Sequence, residues 1–148
     1  MKNFFVIGDL MLDQYHVGSI NRISPEAPVQ ILDVETSYYT LGGAANVAQN
    51  LIQLGSDSRV KLMGAVGNDD NGSRLIRLLK QKSIDTSLVK IVEGRKTTTK
   101  TRFMAGQKQL LRVDYQQSDN VFESFLPNIP KDTDVVIFSD YDYGVINR

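Results

Sequence analysis

Two adjacent glycines, Gly42 and Gly43, stand directly before a segment of helical apolar periodicity that begins at Ala44. Adjacent glycines let a ligand approach bare backbone, and the first turn of a helix offers unpaired N–H groups at the positive end of its dipole. Asn46 lies about one turn into the segment, so its amide can reach the same place. The pattern predicts a site for a polyhydroxylated or anionic small molecule, although glycines also permit plain close packing of a helix on a sheet.

Three carboxylates follow apolar runs that are typical of buried strands. Asp9 comes directly after Gly8, Asp13 follows in the next segment, and Asp140 follows the run 134–139. In open α/β sheets ligands bind beyond the carboxyl ends of the strands, where a carboxylate can accept hydrogen bonds from vicinal hydroxyls or help to position a cation. A turn or helix cap is favoured for Asp9, and ligand contact is favoured for Asp13. For Asp140, ligand contact and an N-cap role carry similar weight.

Two cations lie side by side on one predicted strand. Alternation along 97–104 places Lys100 and Arg102 on the same face, together with Thr98 and Met104. Neighbouring cations repel unless they are solvated or share an anion. A solvated outer face is the commoner explanation in general, and here an anion such as a sugar phosphate is given equal weight.

The composition excludes several classes of protein and site. The 148 residues suffice for one domain, and 17 Lys+Arg balance 17 Asp+Glu, which argues against a nucleic-acid or membrane-surface role. The absence of cysteine and the single histidine, His16, exclude cysteine-ligated zinc and histidine-cluster metal sites. No apolar run reaches the ~20 residues of a membrane span, and the amino-terminal apolar run is too short for a signal peptide. A cytoplasmic domain without a metal site is expected.

The order of the predicted elements indicates a mostly parallel α/β sheet. Gly55 is predicted to cap the first helix, and the chain stops at Arg148, where a crossover helix should begin, which predicts a truncated domain. No phosphate-binding loop and no GxGxxG pattern occurs, which disfavours an unrelated nucleotide-binding domain. The predicted elements are buried strands at 3–8, 60–66, 88–92 and 134–139, exposed strands at 15–17 and 29–34, helices at 44–54 and 73–81, and a hairpin of 97–104 with 109–115.

The residues match the pattern of a known family. The spacing Gly8-Asp9-x-x-x-Asp13, followed by Gly42-Gly43-Ala44-Ala45-Asn46, resembles the N-terminal half of the ribokinase-like (phosphofructokinase-B type) carbohydrate kinases. Within that family, the block 22–29, Arg-Ile-Ser-Pro-Glu-Ala-Pro-Val, is similar to the signature of the bacterial heptose-7-phosphate kinases. The segments 98–102 and 109–114 agree with that assignment.

The resemblance implies a fold and an activity. The implied fold is α/β, a ribokinase-like, mostly parallel sheet with flanking helices and a small β lid formed near 15–34 and 97–115. Only the N-terminal half of such a domain is expected in residues 1–148, without the ATP-binding C-terminal half. The implied reaction is phosphoryl transfer from ATP to the anomeric hydroxyl of D-glycero-D-manno-heptose 7-phosphate, on the route to ADP-heptose for lipopolysaccharide. Such kinases are often fused to an adenylyltransferase domain.

The resemblance also implies roles for individual residues. Asp13, Gly42, Gly43 and Asn46 would hold the sugar hydroxyls. Lys100 and Arg102 would face the phosphate of the substrate. Further candidates for substrate contact are Asp9, Arg112 and Asp140. ATP and Mg²⁺ belong to the full-length enzyme and are not expected to bind tightly to this chain. A homodimer that forms through the β lid is expected.

Two departures from the family pattern bear on activity. Tyr143 stands where the pattern Ser-Asp-Tyr-x-Lys-Gly has lysine, so a cation that could meet the transferring phosphate is absent. The Gly-Ala-Gly-Asp motif, which supplies the anion hole and the catalytic base in relatives, does not occur. The chain is therefore predicted to carry no catalytic residue and to be inactive alone. A non-catalytic sugar-phosphate-binding or regulatory module is the alternative.

Overall fold

The structure, a computed structural model, describes residues 2–55, 57–118, 121–122 and 128–146. In this part of the chain, eight strands form two four-stranded sheets, accompanied by two helices. The elements are β1 (Lys2–Gly8), β2 (Leu10–Ile23), β3 (Gln30–Gly43), α1 (Ala44–Leu54), β4 (Ser58–Gly67), α2 (Asp70–Gln81), β5 (Asp85–Val92), β6 (Thr99–Ala105), β7 (Lys108–Tyr115) and β8 (Val135–Ser139).

The first sheet, called the core sheet here, has the strand order β5-β4-β1-β8, and all its pairings are parallel. The apolar run of β1 is buried at Phe5, Val6 and Ile7, as a strand covered on both faces must be. Residues of α1 and α2 share one cluster with Val6 and its neighbours, so both helices pack on one face of the sheet. The mostly parallel α/β fold expected from the sequence is confirmed.

The second sheet, called the lid sheet here, has the strand order β3-β2-β6-β7. Strands β2 and β3 form a long antiparallel hairpin, β6 and β7 form a second hairpin, and the two hairpins join by parallel pairing of β2 with β6. Every residue of β7 is exposed, because this strand is the outer edge of the sheet. The carboxyl end of β1 leads directly into β2, so the lid sheet begins at the carboxyl edge of the core sheet.

Several element boundaries differ from those predicted. The strands expected at 15–17 and 29–34 are parts of 14-residue strands. The second helix begins at Asp70, three residues before the predicted start, because the side chain of Asp69 caps it. Gly55 ends α1 in an extended conformation rather than the left-handed one of a glycine cap. The expected continuation at Arg148 lies outside the described residues.

Asp69 links the start of α2 to the segment that enters the lid sheet. Its carboxylate accepts hydrogen bonds from the amide of Gly72 at 2.8 Å and from the amide and hydroxyl of Thr97 at 2.9 and 2.7 Å. Burial raises the pKa of Asp69, but the hydrogen bonds from Thr97 and Gly72 and the nearby charge of Lys96 outweigh it, so the pKa lies below its usual value. The ionised carboxylate is the form that holds these two segments together.

Neither helix in the described ranges has the length and apolar composition that crossing a membrane would require.

Candidate functional site

One face of the lid sheet collects most of the charged residues that the sequence singled out. Asp13 of β2 lies beside Lys100 of β6, and Lys100 lies beside Asp114 of β7. Two residues farther along β6, Arg102 lies beside Arg112 of β7. Because residues directly opposite each other, and those two apart on one strand, share a face, these five side chains stand on one surface. This surface is called the charged face below.

Asp13 and Arg102 form the inner ion pair of the charged face. Arg102 Nη1 lies 3.2 Å from Asp13 Oδ1, and the two side chains are 19% and 18% exposed. Asp13 Oδ1 is nevertheless buried without a hydrogen-bond partner among the described residues, because the guanidinium does not meet it with hydrogen-bond geometry. The guanidinium also lies 5.1 Å from the ring centroid of Tyr15, which stacks on Tyr38 at 4.8 Å. Because the Asp13 side chain as a whole keeps 18% of its surface exposed, its carboxylate can still accept hydrogen bonds from a hydroxyl-bearing ligand.

Lys100, Arg112 and Asp114 form the outer group of the charged face. Arg112 Nε lies 2.8 Å from Asp114 Oδ1, and Lys100 Nζ lies 3.9 Å from Asp114 Oδ2. The neighbouring cations Lys100 and Arg102 therefore each have a carboxylate partner, and the side chain of Lys100 is only 18% exposed. Three cations and two carboxylates leave this face with one excess positive charge, which favours an anionic ligand.

Gly42 is buried next to the carboxylate of Asp13. It pairs with Met11 across β2 and β3, and a Cβ at this position would lie 3.1 Å from both Cγ and Oδ1 of Asp13. The glycine therefore makes room for the carboxylate against the backbone. The prediction that the glycine pair precedes a helix is confirmed, since α1 begins at Ala44 with Gly43 as its N-cap. Gly42 and Gly43 are at the same time the last two residues of β3.

Gly43 turns the chain from β3 into α1. Its φ of 55° and ψ of −137° belong to a region that only glycine adopts readily, and a Cβ there would lie 2.4 Å from the carbonyl oxygen of Asp9. The amide of Ala44 donates to that same oxygen at 2.9 Å. The side chain of Asn46 is exposed in the first turn of α1, near this backbone.

Asp9 is 1% exposed and holds the loop that follows β8. Its Oδ2 accepts from the amides of Tyr141 at 2.8 Å and Tyr143 at 3.3 Å, and its Oδ1 accepts from the amide of Val145 at 3.2 Å. This is the turn-capping arrangement that the sequence favoured. Asp140 is exposed, and its carboxylate accepts from the amide of Asp142 at 2.9 Å, so it closes a turn in the same loop.

Three residues at or next to the charged face were not predicted from the sequence to belong to the site. Tyr15 and Tyr38 stack beside Arg102, and Asp114 pairs with two cations. Tyr15 could have been found by continuing the alternation two residues from Asp13, but the strand was predicted to begin at Tyr15. Asp114 depends on the register of β6 with β7, which the hairpin prediction did not specify.

A cavity of about 590 Å³ lies at the amino ends of the core strands, away from the charged face. It is lined by the starts of β1, β4 and β5 and by the residues before β8, including Arg59, Lys61 and Asp85. Ligands of parallel α/β sheets bind at the carboxyl ends of the strands, so the charged face, and not this cavity, is the candidate site.

Comparison with known proteins shows the family of the chain. Residues 1–137 match the family described as pfkB family carbohydrate kinase. A curated relative from Sulfurimonas denitrificans, the bifunctional protein HldE, is 42% identical over 150 residues, which cover 97% of this chain and 31% of the relative. The chain thus spans about a third of the length of such relatives.

Solved structures show the same fold. The chain superposes on the nucleoside kinase of Methanocaldococcus jannaschii, an archaeal member of the ribokinase family, with a TM-score of 0.64 and 22% identity, over 93% of this chain and 44% of that one. For the ribokinase of Cryptococcus neoformans in complex with ADP, the TM-score is 0.62 at 18% identity, over 93% and 40% of the two chains. With the family match over most of its length, the chain belongs to the pfkB family of carbohydrate kinases.

Proposed function

We propose that this chain is the acceptor-binding part of a kinase that phosphorylates D-glycero-D-manno-heptose 7-phosphate at its anomeric hydroxyl, in the synthesis of ADP-heptose for lipopolysaccharide. The observation that carries the proposal is the partly exposed Asp13 carboxylate, which lies beside Arg102 on a face with excess positive charge. The bifunctional HldE relatives, at 41–42% identity over nearly the whole chain, support the choice of substrate.

The chemistry of the charged face suits a phosphorylated sugar. Asp13 accepts hydrogen bonds from sugar hydroxyls, and Gly42 lets the ligand and the carboxylate lie close to the backbone. Gly43 and Asn46 offer further polar groups where α1 begins. Lys100 and Arg102 meet the 7-phosphate, with Arg112 farther out, where its side chain is 47% exposed. The stacked rings of Tyr15 and Tyr38 form an apolar wall beside these groups.

ATP and Mg²⁺ are not assigned to residues of this chain. Among the described residues, no group of three or more His, Asp and Glu side chains is arranged to hold a metal ion. In the complete kinase, ATP supplies the phosphoryl group, and this chain's residues bind and orient the acceptor. We therefore expect the isolated chain to lack kinase activity.

The lid sheet is proposed to cover the sugar and to form the interface of a homodimer. Leu111, Val113 and Tyr115 alternate along β7 and are 57%, 48% and 53% exposed. They lie on the face opposite Arg112 and Asp114. An apolar row of this kind on an edge strand is suited to contact with a second copy.

Isothermal titration calorimetry tests the proposed acceptor. The 148-residue chain is expected to bind heptose 7-phosphate at least tenfold more tightly than ribose 5-phosphate or fructose 6-phosphate, a difference of ~1.4 kcal/mol. Equal, weak binding of all three would contradict the substrate. Heptose-dependent ATP consumption by the pure chain would contradict its inactivity. The second candidate function is a non-catalytic sugar-phosphate-binding module. It is favoured by Tyr143, which stands in place of the family lysine. A full-length protein that binds the heptose phosphate but never consumes ATP would support this second candidate.

Replacing Gly42 with alanine is expected to weaken heptose 7-phosphate binding roughly tenfold. The added methyl group would meet the Asp13 carboxylate at 3.1 Å and push it out of position. Gly55→Ala is the matched control, because a Cβ there would lie 3.5 Å from Ser58 Oγ, an ordinary contact. Calorimetry on both variants checks the prediction, and an unchanged Kd for Gly42→Ala would show that the carboxylate position is not critical.

A further inference from the structure

In the described part of the chain, the connections between the core sheet and the lid sheet are tied, directly or through Asp9, to one loop, residues 140–145, called the junction loop here. The connection from β1 to β2 is Asp9, whose carboxylate accepts three amides of this loop. The connection from β3 to α1 is tied to Asp9 through the amide of Ala44. The junction loop therefore contacts the connection from β1 to β2 directly, at Asp9. It is linked to the connection from β3 to α1 through Asp9.

The connections into and out of the second lid hairpin meet the same loop through Arg95. This side chain belongs to the segment between β5 and β6, and the residue is 7% exposed. Its Nη2 donates to the carbonyl oxygen of Tyr143 at 2.8 Å and to that of Gln117 at 3.0 Å. The planar guanidinium thus joins the junction loop to the segment that leaves β7.

Tyr143 is the residue of the junction loop whose side chain reaches the lid. Its hydroxyl donates to Gln116 Oε1 at 2.8 Å, just after β7. Its ring centroid lies 6.0 Å from Lys100 Nζ, at the outer limit of a cation–π contact. The backbone of Tyr143 is fixed at both ends of the residue, since its amide donates to Asp9 and its carbonyl accepts from Arg95.

We propose that Tyr143 is a positioning residue that fastens the lid sheet to the core sheet and thereby fixes the charged face over the carboxyl edge of the core. The side chain stands where relatives are expected to carry a lysine. This chain therefore has a hydroxyl that contacts the lid where relatives would have a positive charge. Its effect on the sugar rests on the proposed function, whereas the fastening of the lid does not.

Tyr143→Phe tests the proposal, with Tyr141→Phe as the matched control on the same loop. Both changes remove one phenolic hydroxyl, but Tyr141 is 49% exposed, and the hydrogen bond described for it is made by its backbone amide. Hydrogen exchange is measured on the lid amides 99–115 and on the core amides of β1. Tyr143→Phe is expected to speed exchange in 99–115 roughly 2- to 10-fold, the range of one hydrogen bond, with no larger effect in β1. Tyr141→Phe is expected to change neither region.

A double-mutant cycle with Gln116→Ala identifies the partner. Once Gln116 is alanine, removal of the Tyr143 hydroxyl should have no further effect on lid exchange. Unchanged lid exchange in Tyr143→Phe, or a larger acceleration in β1 than in the lid, would overturn the proposal. The same variant should weaken heptose 7-phosphate binding 2- to 10-fold. If the unmodified chain binds no heptose phosphate and the lid exchange still responds, the proposed substrate is wrong and the fastening role holds.

Discussion

Asp13→Asn is expected to weaken the binding of heptose 7-phosphate roughly 10- to 100-fold. The carboxylate loses its charge-assisted hydrogen bonds to sugar hydroxyls, which are each worth ~1.5–3 kcal/mol. The amide that replaces it also places N–H groups near Arg102, whose Nη1 lies 3.2 Å from Oδ1 of the native side chain. Arg102 then stands partly buried without its carboxylate. Calorimetry with the heptose phosphate gives the affinity.

Asp33→Asn is the matched control for this change. Asp33 is on β3 of the same sheet and also pairs with an arginine, Arg22, at 3.5 Å, but its side chain is 45% exposed. It lies seven residues along β3 from Thr40, the partner of Asp13, which is roughly 20 Å in an extended strand. We expect the Asp33→Asn variant to bind heptose 7-phosphate as tightly as the unmodified chain does. Equal affinities of the Asp13→Asn variant and the unmodified chain would show that the charged face does not bind the sugar.

Asp9→Asn is expected to lower the free energy of unfolding by about 2–4 kcal/mol. The two carboxylate oxygens accept three backbone amides in a buried place, and an asparagine keeps only one oxygen. Its NH₂ group would face a backbone N–H that now donates to a carboxylate oxygen. Two hydrogen-bond donors would then face each other, and one hydrogen bond would be lost. Urea unfolding followed by circular dichroism gives the free energy.

Asp142→Asn provides the comparison for the Asp9 variant. Asp142 lies in the same loop and is exposed, and its φ of 65° is in the left-handed region that asparagine tolerates. The expected change is within ~0.5 kcal/mol. If the two variants unfold at the same urea concentration, the three hydrogen bonds to Asp9 do not stabilise the junction.

The core sheet was predictable because its strands are continuous apolar runs. Residues such as Phe5, Val6 and Ile7 can be satisfied only by burial on both faces, and the helices between strands require parallel pairing. The lid strands lack this signal. Stretches such as 35–40 carry polar and mostly exposed side chains, because their main partners are other lid strands and not the apolar core. Their full length therefore depends on pairing that is not visible locally.

The candidate site was predictable only where a local sequence pattern indicates it. Asp13 was identified because it follows a buried strand, and Lys100 with Arg102 because strand alternation puts them on one face. The ion pair of Arg102 with Asp13 depends on the parallel pairing of β2 with β6. No local pattern indicates that pairing, since the two strands belong to different hairpins that are separated by two helices and two core strands.

The parallel pairing of β2 with β6 also has a consequence for how the protein acquires its binding capacity. Closing a contact between segments so distant in the chain costs loop entropy, so such pairings form late and slowly in folding. Asp13 and Arg102 come into register only when that step is complete. A sugar phosphate that requires both side chains would select the finished topology over earlier compact states and stabilise it by mass action. The sugar phosphate would then stabilise the fully folded protein in addition to serving as the reactant.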